Sequence, residues 1–250
     1  MGSGAPRGRT GQGVLLRRLL ATAFFGPLFV LAFAAVCGSL LVLAVIRPSA
    51  LYRAVPGGCR LMLRAAGVRL SVEGALPAAG TCIVMANHSS FIDLFLLPAI
   101  LRGRYTGVMA EEMMRVPLLQ SVLRRLRVVP IVRDQFESAV ASLKVAEDAV
   151  RDGYHVVILP EGTRTTTGRM LPFKSGPFYL ALHTRAPIVP VGIAGAFAYK
   201  PKDRWTIDPG AVRVRIGSPI PPSDYETLGT AGLKARVRAE IAALSGQDPA

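Results

Sequence analysis

Residues 82–93 read CIVMANHSSFID: five apolar residues, Cys82–Ala86, run without a charge into Asn87-His88-Ser89-Ser90-Phe91-Ile92-Asp93. An apolar run of that length, bounded by Asn and Ser, predicts a strand buried on both faces, as in a parallel sheet. The same grammar returns at His155–Leu159, which gives way to Pro160-Glu161-Gly162-Thr163-Arg164. Working outward from these two, further strands are predicted at Arg69–Val72, Tyr105–Ala110, Val128–Val132, Ile188–Ile193 and Val212–Ile216. Helical stretches separate them: Ile92–Arg102, Met113–Leu126, Phe136–Arg151 and Ser175–Thr184, with a last surface helix over Ala231–Leu244. Phe136–Arg151 is the clearest. Val140, Leu143, Ala146 and Val150 recur at helical spacing, and Gly153 marks the stop. Strands alternating with helices predict an α/β domain with a mostly parallel sheet flanked by helices, over residues 69–250.

The chain before this domain has another character. Residues 1–18 are rich in Gly and Arg and are expected to form a disordered basic N-terminus. From Leu19 to Ile46 roughly 28 residues carry no charge, beyond the threshold for a membrane helix. A cleaved leader has an apolar core about half as long. As one straight helix the block measures about 42 Å against about 30 Å of hydrocarbon, so it must tilt, break or turn back. Gly26-Pro27 and Gly38-Ser39 are the candidate break points. Arg7, Arg9, Arg17 and Arg18 precede the block, and Arg47, Arg53, Arg60 and Arg64 follow it. That balance suits a re-entrant hairpin with both ends on one face, with a single tilted span as the alternative. Residues 50–70 mix apolar side chains with arginines and read either as an interfacial segment or as an amphipathic helix packed on the domain. Residues 19–68 are thus assigned to membrane-anchoring and interfacial helices, preceding the domain as a membrane helix or helical hairpin.

The balance of 30 Lys and Arg against 16 Asp and Glu, a net charge of +14, favours an anionic partner. Because that charge is spread along the chain and aromatics are few, lipid is preferred over nucleic acid. Cys37, Cys59 and Cys82 fit neither a disulfide framework nor a zinc pattern, and no metal site is expected from His88, His155 and His183.

Two constellations carry chemistry. His88 follows a strand, at the sheet edge where open α/β sheets bind ligands. Asp93 lies five residues on, about 140° around a regular helix, so the two meet only if a helix begins between them. Ser89 or Ser90 can supply its N-cap. Asp93 would then accept a hydrogen bond from one imidazole nitrogen and leave the other free to take a proton. The plainer reading is a capping box, Ser90-Phe91-Ile92-Asp93, with no catalysis. In the second constellation Gly162 allows close backbone approach and Arg164 offers a planar fork for a phosphate. Phe173-Lys174-Ser175-Gly176 adds a cation before a helix start. A surface turn with a Glu161–Arg164 ion pair is the plainer reading here.

Taken together, the chain resembles the 1-acylglycerol-3-phosphate acyltransferase type of glycerolipid acyltransferase family. His88 to Asp93 matches its histidine, four residues, aspartate block, and Pro130-Ile131-Val132-Arg133 its Pro-x-x-Arg stretch. Glu161 to Arg164 with Phe173 to Gly176, then Val189-Pro190-Val191, match the remaining blocks in order. The resemblance implies His88 as general base and Asp93 as its orienting partner, with direct transfer to a lysophospholipid hydroxyl from acyl-CoA or acyl carrier protein. It implies Arg133, Glu161, Gly162, Thr163, Arg164 and Lys174 as acceptor-binding residues, and no cofactor beyond that acyl co-substrate. Localisation at the cytoplasmic face of the plasma membrane is expected. Ala110 and Glu111 stand where family members often carry a lysine pair, which puts a phosphomonoester acceptor in question. A lyso-ornithine lipid is the alternative acceptor, and a non-catalytic anionic-membrane-binding protein the alternative class. A serine hydrolase is disfavoured, since the chain has no Gly-x-Ser-x-Gly elbow.

Overall fold

The computed structural model describes residues 11–132 and 136–247. It opens with one helix, α1 (Gly11–Ile46), of 36 residues and about 54 Å. Pro27 lies inside it and Gly26-Pro27 does not break it. The expected turn within the apolar block is therefore corrected. The chain turns later, through a short 3₁₀ segment at Pro48–Ala50, into α2 (Leu51–Ala65). The pair runs antiparallel: Gly58 faces Val36, and Gly67 faces Phe25. The reason is the difference between the two sequences. The apolar block offers side chains all round, whereas α2 buries only one face, Leu51, Val55, Cys59, Met62 and Leu63. Residues 50–65 thus form an amphipathic helix packed on the domain.

The domain holds seven strands: β1 (Val68–Glu73), β2 (Ile83–Ala86), β3 (Tyr105–Ala110), β4 (Val129–Ile131), β5 (His155–Ile158), β6 (Ile188–Ala194) and β7 (Gly210–Ile216). They form one sheet in the order β1-β7-β6-β2-β5-β3-β4. The five strands from β6 to β4 are parallel, while β7 runs antiparallel to β6 and β1 parallel to β7. The helices are α3 (Asp93–Ile100), α4 (Leu119–Arg125), α5 (Phe136–Arg151), α6 (Gly176–Thr184), α7 (Ala196–Tyr199) and α8 (Gly229–Ser245). The expected helix over Met113–Leu126 is split. Glu111–Arg115 is 3₁₀, and Val116 turns extended ahead of Pro117, as a residue before proline must.

Both faces of the sheet are covered, which is why β2 reads as an unbroken apolar run. Val84 and Ala86 join a core with α1, α2 and α3, while Ile83 and Met85 join one with α5, α6 and α8. Because β6, β2, β5, β3 and β4 point the same way, their C-terminal ends collect at one edge. That edge receives His88, Glu161, Glu111 and the segment after Ala194. Arg133 lies outside the described residues.

Helix α8 seats directly on β6. A Cβ at Gly192 would come within 2.4 Å of the Leu244 carbonyl carbon and the Ser245 nitrogen, both backbone. Gly192→Ala should therefore lower stability by about 1–3 kcal/mol through overpacking, read as a lower urea midpoint at unchanged slope. An unchanged midpoint would mean that α8 does not sit there.

Candidate active site

The site begins where β2 ends. Asn87 continues the ladder with its side chain: its Oδ1 accepts from the Ile193 N–H at 2.7 Å and its Nδ2 donates to the Ile193 carbonyl at 2.9 Å. A side chain has replaced a peptide, so the main chain is free to leave the sheet at His88.

Asp93, fully buried, closes the turn that follows. Its Oδ2 accepts from the Ser89 and Ser90 N–H groups, both at 2.9 Å, and from His88 Nδ1 at 2.8 Å. An ionised carboxylate only accepts, so this contact places the ring proton on Nδ1. Nε2 is left bare, and the His88 side chain keeps 17 % of its surface open. One oxygen of Asp93 thus both closes the turn and orients the ring. The expected serine cap is corrected: neither serine hydroxyl caps α3, and Ser90 Oγ donates instead to the Lys200 carbonyl at 2.9 Å. Ser89 and Ser90 are buried, which leaves neither placed as a nucleophile.

The loop after β5 clamps His88 from its other side. Glu161 Oε1 accepts from the His88 N–H at 2.6 Å, and Oε2 from the Leu171 N–H at 2.7 Å. The Thr165 N–H donates to the His88 carbonyl at 3.0 Å. Glu161 thus spends both oxygens on backbone, and the Glu161–Arg164 ion pair of the plainer reading is not formed. Gly162 adopts φ 71°, a left-handed turn that glycine permits at no steric cost. The Lys174 side chain packs over it, and the Lys174 N–H donates to the Pro160 carbonyl at 2.7 Å. Arg164 is half-buried. Among the described residues no carboxylate pairs with Arg164 or Lys174.

One edge therefore holds a bare imidazole nitrogen able to take up and return a proton, and the loop that clamps His88 carries the cations Arg164 and Lys174. Of the residues singled out in the sequence, His88 touches Asp93 and Glu161, Lys174 packs on Gly162, and Thr163 and Arg164 follow Glu161 in the same loop. Several participants escaped that reading. The Asn87 side chain and the Leu171 N–H act through long-range partners. Lys200 and Lys202 arrive from the segment after β6, where the run Lys200-Pro201-Lys202-Asp203-Arg204 was the available signal. From α1, the Phe29 ring meets Phe91 at 5.8 Å and Phe95 at 5.5 Å, both T-shaped. An apolar pocket of about 270 Å³ lies there, lined by Phe29, Phe33, Phe91, Phe95, Met113 and Leu119 among others.

Comparison with known proteins agrees with this layout. The profile of the family described as Acyltransferase matches residues 68–194. The 1-acyl-sn-glycerol-3-phosphate acyltransferase of Cocos nucifera is 33 % identical over 73 % of this chain and 59 % of its own length. The 1-acyl-sn-glycerol-3-phosphate acyltransferase alpha of Homo sapiens is 30 % identical over 69 % of this chain and 62 % of its own. The chain thus spans about three fifths of these relatives. The crystal structure of the 1-acyl-sn-glycerophosphate (LPA) acyltransferase PlsC from Thermotoga maritima superposes with a TM-score of 0.78. It is 26 % identical, over 90 % of this chain and 93 % of that one. The strand order, the histidine block at the sheet edge and these likenesses lead to one statement: the chain belongs to the acyltransferase family.

Proposed function

We propose that the protein is an O-acyltransferase that moves an acyl group from a thioester to the free hydroxyl of a 1-acylglycerol 3-phosphate, yielding phosphatidic acid. The observation that carries this reading is His88, with Nδ1 held by Asp93 at 2.8 Å and Nε2 open at the edge. In the transfer, Nε2 takes the hydroxyl proton as the oxygen bonds to the thioester carbonyl carbon. The tetrahedral intermediate collapses with cleavage of the C–S bond, and the imidazolium returns the proton to the departing thiolate. Asp93 stabilises the imidazolium that forms in between. No residue carries the acyl group and no cofactor is required; acyl-CoA or acyl carrier protein supplies the thioester. Gly162 and Thr163 shape the turn that presents Arg164, which with Lys174 supports an anionic headgroup. The pocket beside Phe91 suits a fatty chain.

Helix α1 supports a membrane setting. It is long and apolar enough to cross a bilayer. Contacts along its length argue that it lies in the membrane surface instead. Arg17 and Arg18 pair with Asp208, Thr22 Oγ1 accepts from the Ile207 N–H, and Val36, Cys37, Leu40 and Ala44 are buried against the domain. The opposite face, with Leu16, Leu20, Phe24, Leu28, Leu31, Val42 and Val45, is exposed and apolar. An in-plane anchor would hold the edge carrying His88 where lysolipids reside.

The experiment supplies purified protein with a labelled acyl thioester and lysolipids with and without a phosphomonoester. Wild type should acylate 1-acylglycerol 3-phosphate. His88→Ala should lower kcat by about a hundred- to ten-thousandfold while vesicle binding is retained. Undiminished turnover in the variant removes His88 as the base.

Glu161 gives a pH signature. Burial raises its carboxyl to about 7, against the pull of the two N–H donors and of His88. A raised acid pKa means that the folded state keeps a proton the unfolded chain releases. This favouring of the fold is complete below the ordinary glutamate range and is lost as pH rises through about 7. Glu161→Gln should flatten the unfolding midpoint across that window. It should also lower the midpoint, since one N–H loses its acceptor at a cost of about 1–3 kcal/mol. An identical slope in the variant would contradict this account of Glu161.

A further inference from the structure

The segment after β6 crosses the site on the side away from β5 and is held there by several independent contacts. Tyr199 Oη donates to the Ala66 carbonyl at 2.9 Å, tying it to the end of α2. Ser90 Oγ donates to the Lys200 carbonyl, tying it to the turn that carries His88. Arg204 folds the segment upon itself, its guanidinium donating to the carbonyls of Ala198, Tyr199 and Thr206 at 2.7, 2.6 and 3.0 Å. Arg204 is consumed by this work. Lys200 and Lys202 are not. Lys200 Nζ donates one bond, to the Arg204 carbonyl at 2.7 Å, and Lys202 Nζ reaches Thr163 Oγ1 at 3.5 Å across the site.

Three cations, Lys200, Lys202 and Arg164, converge there. Burial, and then the charges of Arg164 and Arg204, depress the Lys200 ammonium, so Lys200 and Arg164 feel each other directly. Among the described residues no carboxylate pairs with Arg164, Lys200 or Lys202, and Asp203 on the same segment is exposed and pairs with none of them. Like charges held together in a partly desolvated place repel, and the arrangement is relieved when a multiply charged anion enters. The end of β3, by contrast, brings the exposed carboxylates Glu111 and Glu112 to the same edge and no lysine pair.

We infer that Lys200 and Lys202 form the second wall of the acceptor's phosphate site, gripping the phosphomonoester opposite Arg164 and supplying the charge that residues 110 and 111 lack. The inference rests on the acyltransferase reading and adds two binding residues to it. The phosphate sits between the segment after β6 and the Thr163–Arg164 turn, with His88 beneath, in the turn that follows β2. A dianion there satisfies the fork of Arg164 and two ammonium groups.

The test uses the full chain in detergent or vesicles. KM and kcat are measured for 1-acylglycerol 3-phosphate, for 1-acylglycerol without phosphate, and for the acyl-CoA donor. Binding of 1-acylglycerol 3-phosphate in the absence of donor is measured alongside. Lys200→Gln and Lys202→Gln should each raise the KM and Kd for the phosphorylated acceptor about tenfold. Values of kcat, donor KM and the phosphate-free acceptor should stay within about twofold. Lys200→Arg should restore much of the loss. Lys202 is exposed, so its variant reports even if Lys200→Gln disturbs the segment. An unchanged acceptor KM in active variants, or a rise confined to the donor, overturns the proposal and leaves the acyltransferase reading standing. If wild type transfers no acyl group, that reading falls, and the binding measurement still decides whether the two lysines hold phosphate.

Discussion

One carboxylate oxygen of Asp93, buried completely, receives three N–H donors from the residues just before it, and the site depends on that contact. Burying an ionised group is costly unless the protein supplies hydrogen bonds; Oδ2 receives three, while Oδ1 is buried without one among the described residues. Two of the donors are backbone, so the turn between β2 and α3 is built around the charge. The third is the imidazole of His88, which thereby receives its tautomer and its direction together.

Everything else at the edge serves to keep this turn at the right height. The Asn87 side chain stands in for a peptide against Ile193, and the Glu161 carboxylate and the Thr165 N–H grip the backbone of His88 on its two sides. Ser90 reaches the opposite segment through Lys200. Three neighbouring strand ends, those of β6, β2 and β5, are thus stitched through polar contacts across a few residues. Such preorganisation lets a base act without reorganising at the moment of reaction. Helix α1 adds the apolar side of the same arrangement, since its Phe29 packs against the residues that flank Asp93.

The centre of the sheet was legible because β2 and β6 are buried on both faces, so Cys82–Ala86 and Ile188–Ile193 announce themselves as apolar runs. His88 and Asp93 were legible because a five-residue separation has few uses at a strand end. Other features depend on contacts that sequence distance hides. The serine cap gave way because a neighbouring carboxylate outcompetes a hydroxyl for backbone N–H groups. Neither candidate break point, Gly26-Pro27 or Gly38-Ser39, interrupts α1, which the domain supports through Phe25, Phe29, Val36 and Leu40, and the turn fell at Pro48–Ala50, ahead of the one-sided α2. Glu161 reads as a headgroup contact in isolation, yet its partners, His88 and Leu171, lie 73 and 10 residues away. Lys200 and Lys202 stood in a basic run without apparent purpose until the sheet order set β6 beside β2.

The site turns on the state of a single ring, and the chain's three histidines make it accessible to ¹⁵N labelling of histidine alone. With His88→Gln used to assign its pair of signals, the neutral His88 ring should carry its proton on Nδ1 and show an unprotonated Nε2. A neutral ring protonated on Nε2 would mean that Asp93 does not orient it and that no base faces the acceptor hydroxyl.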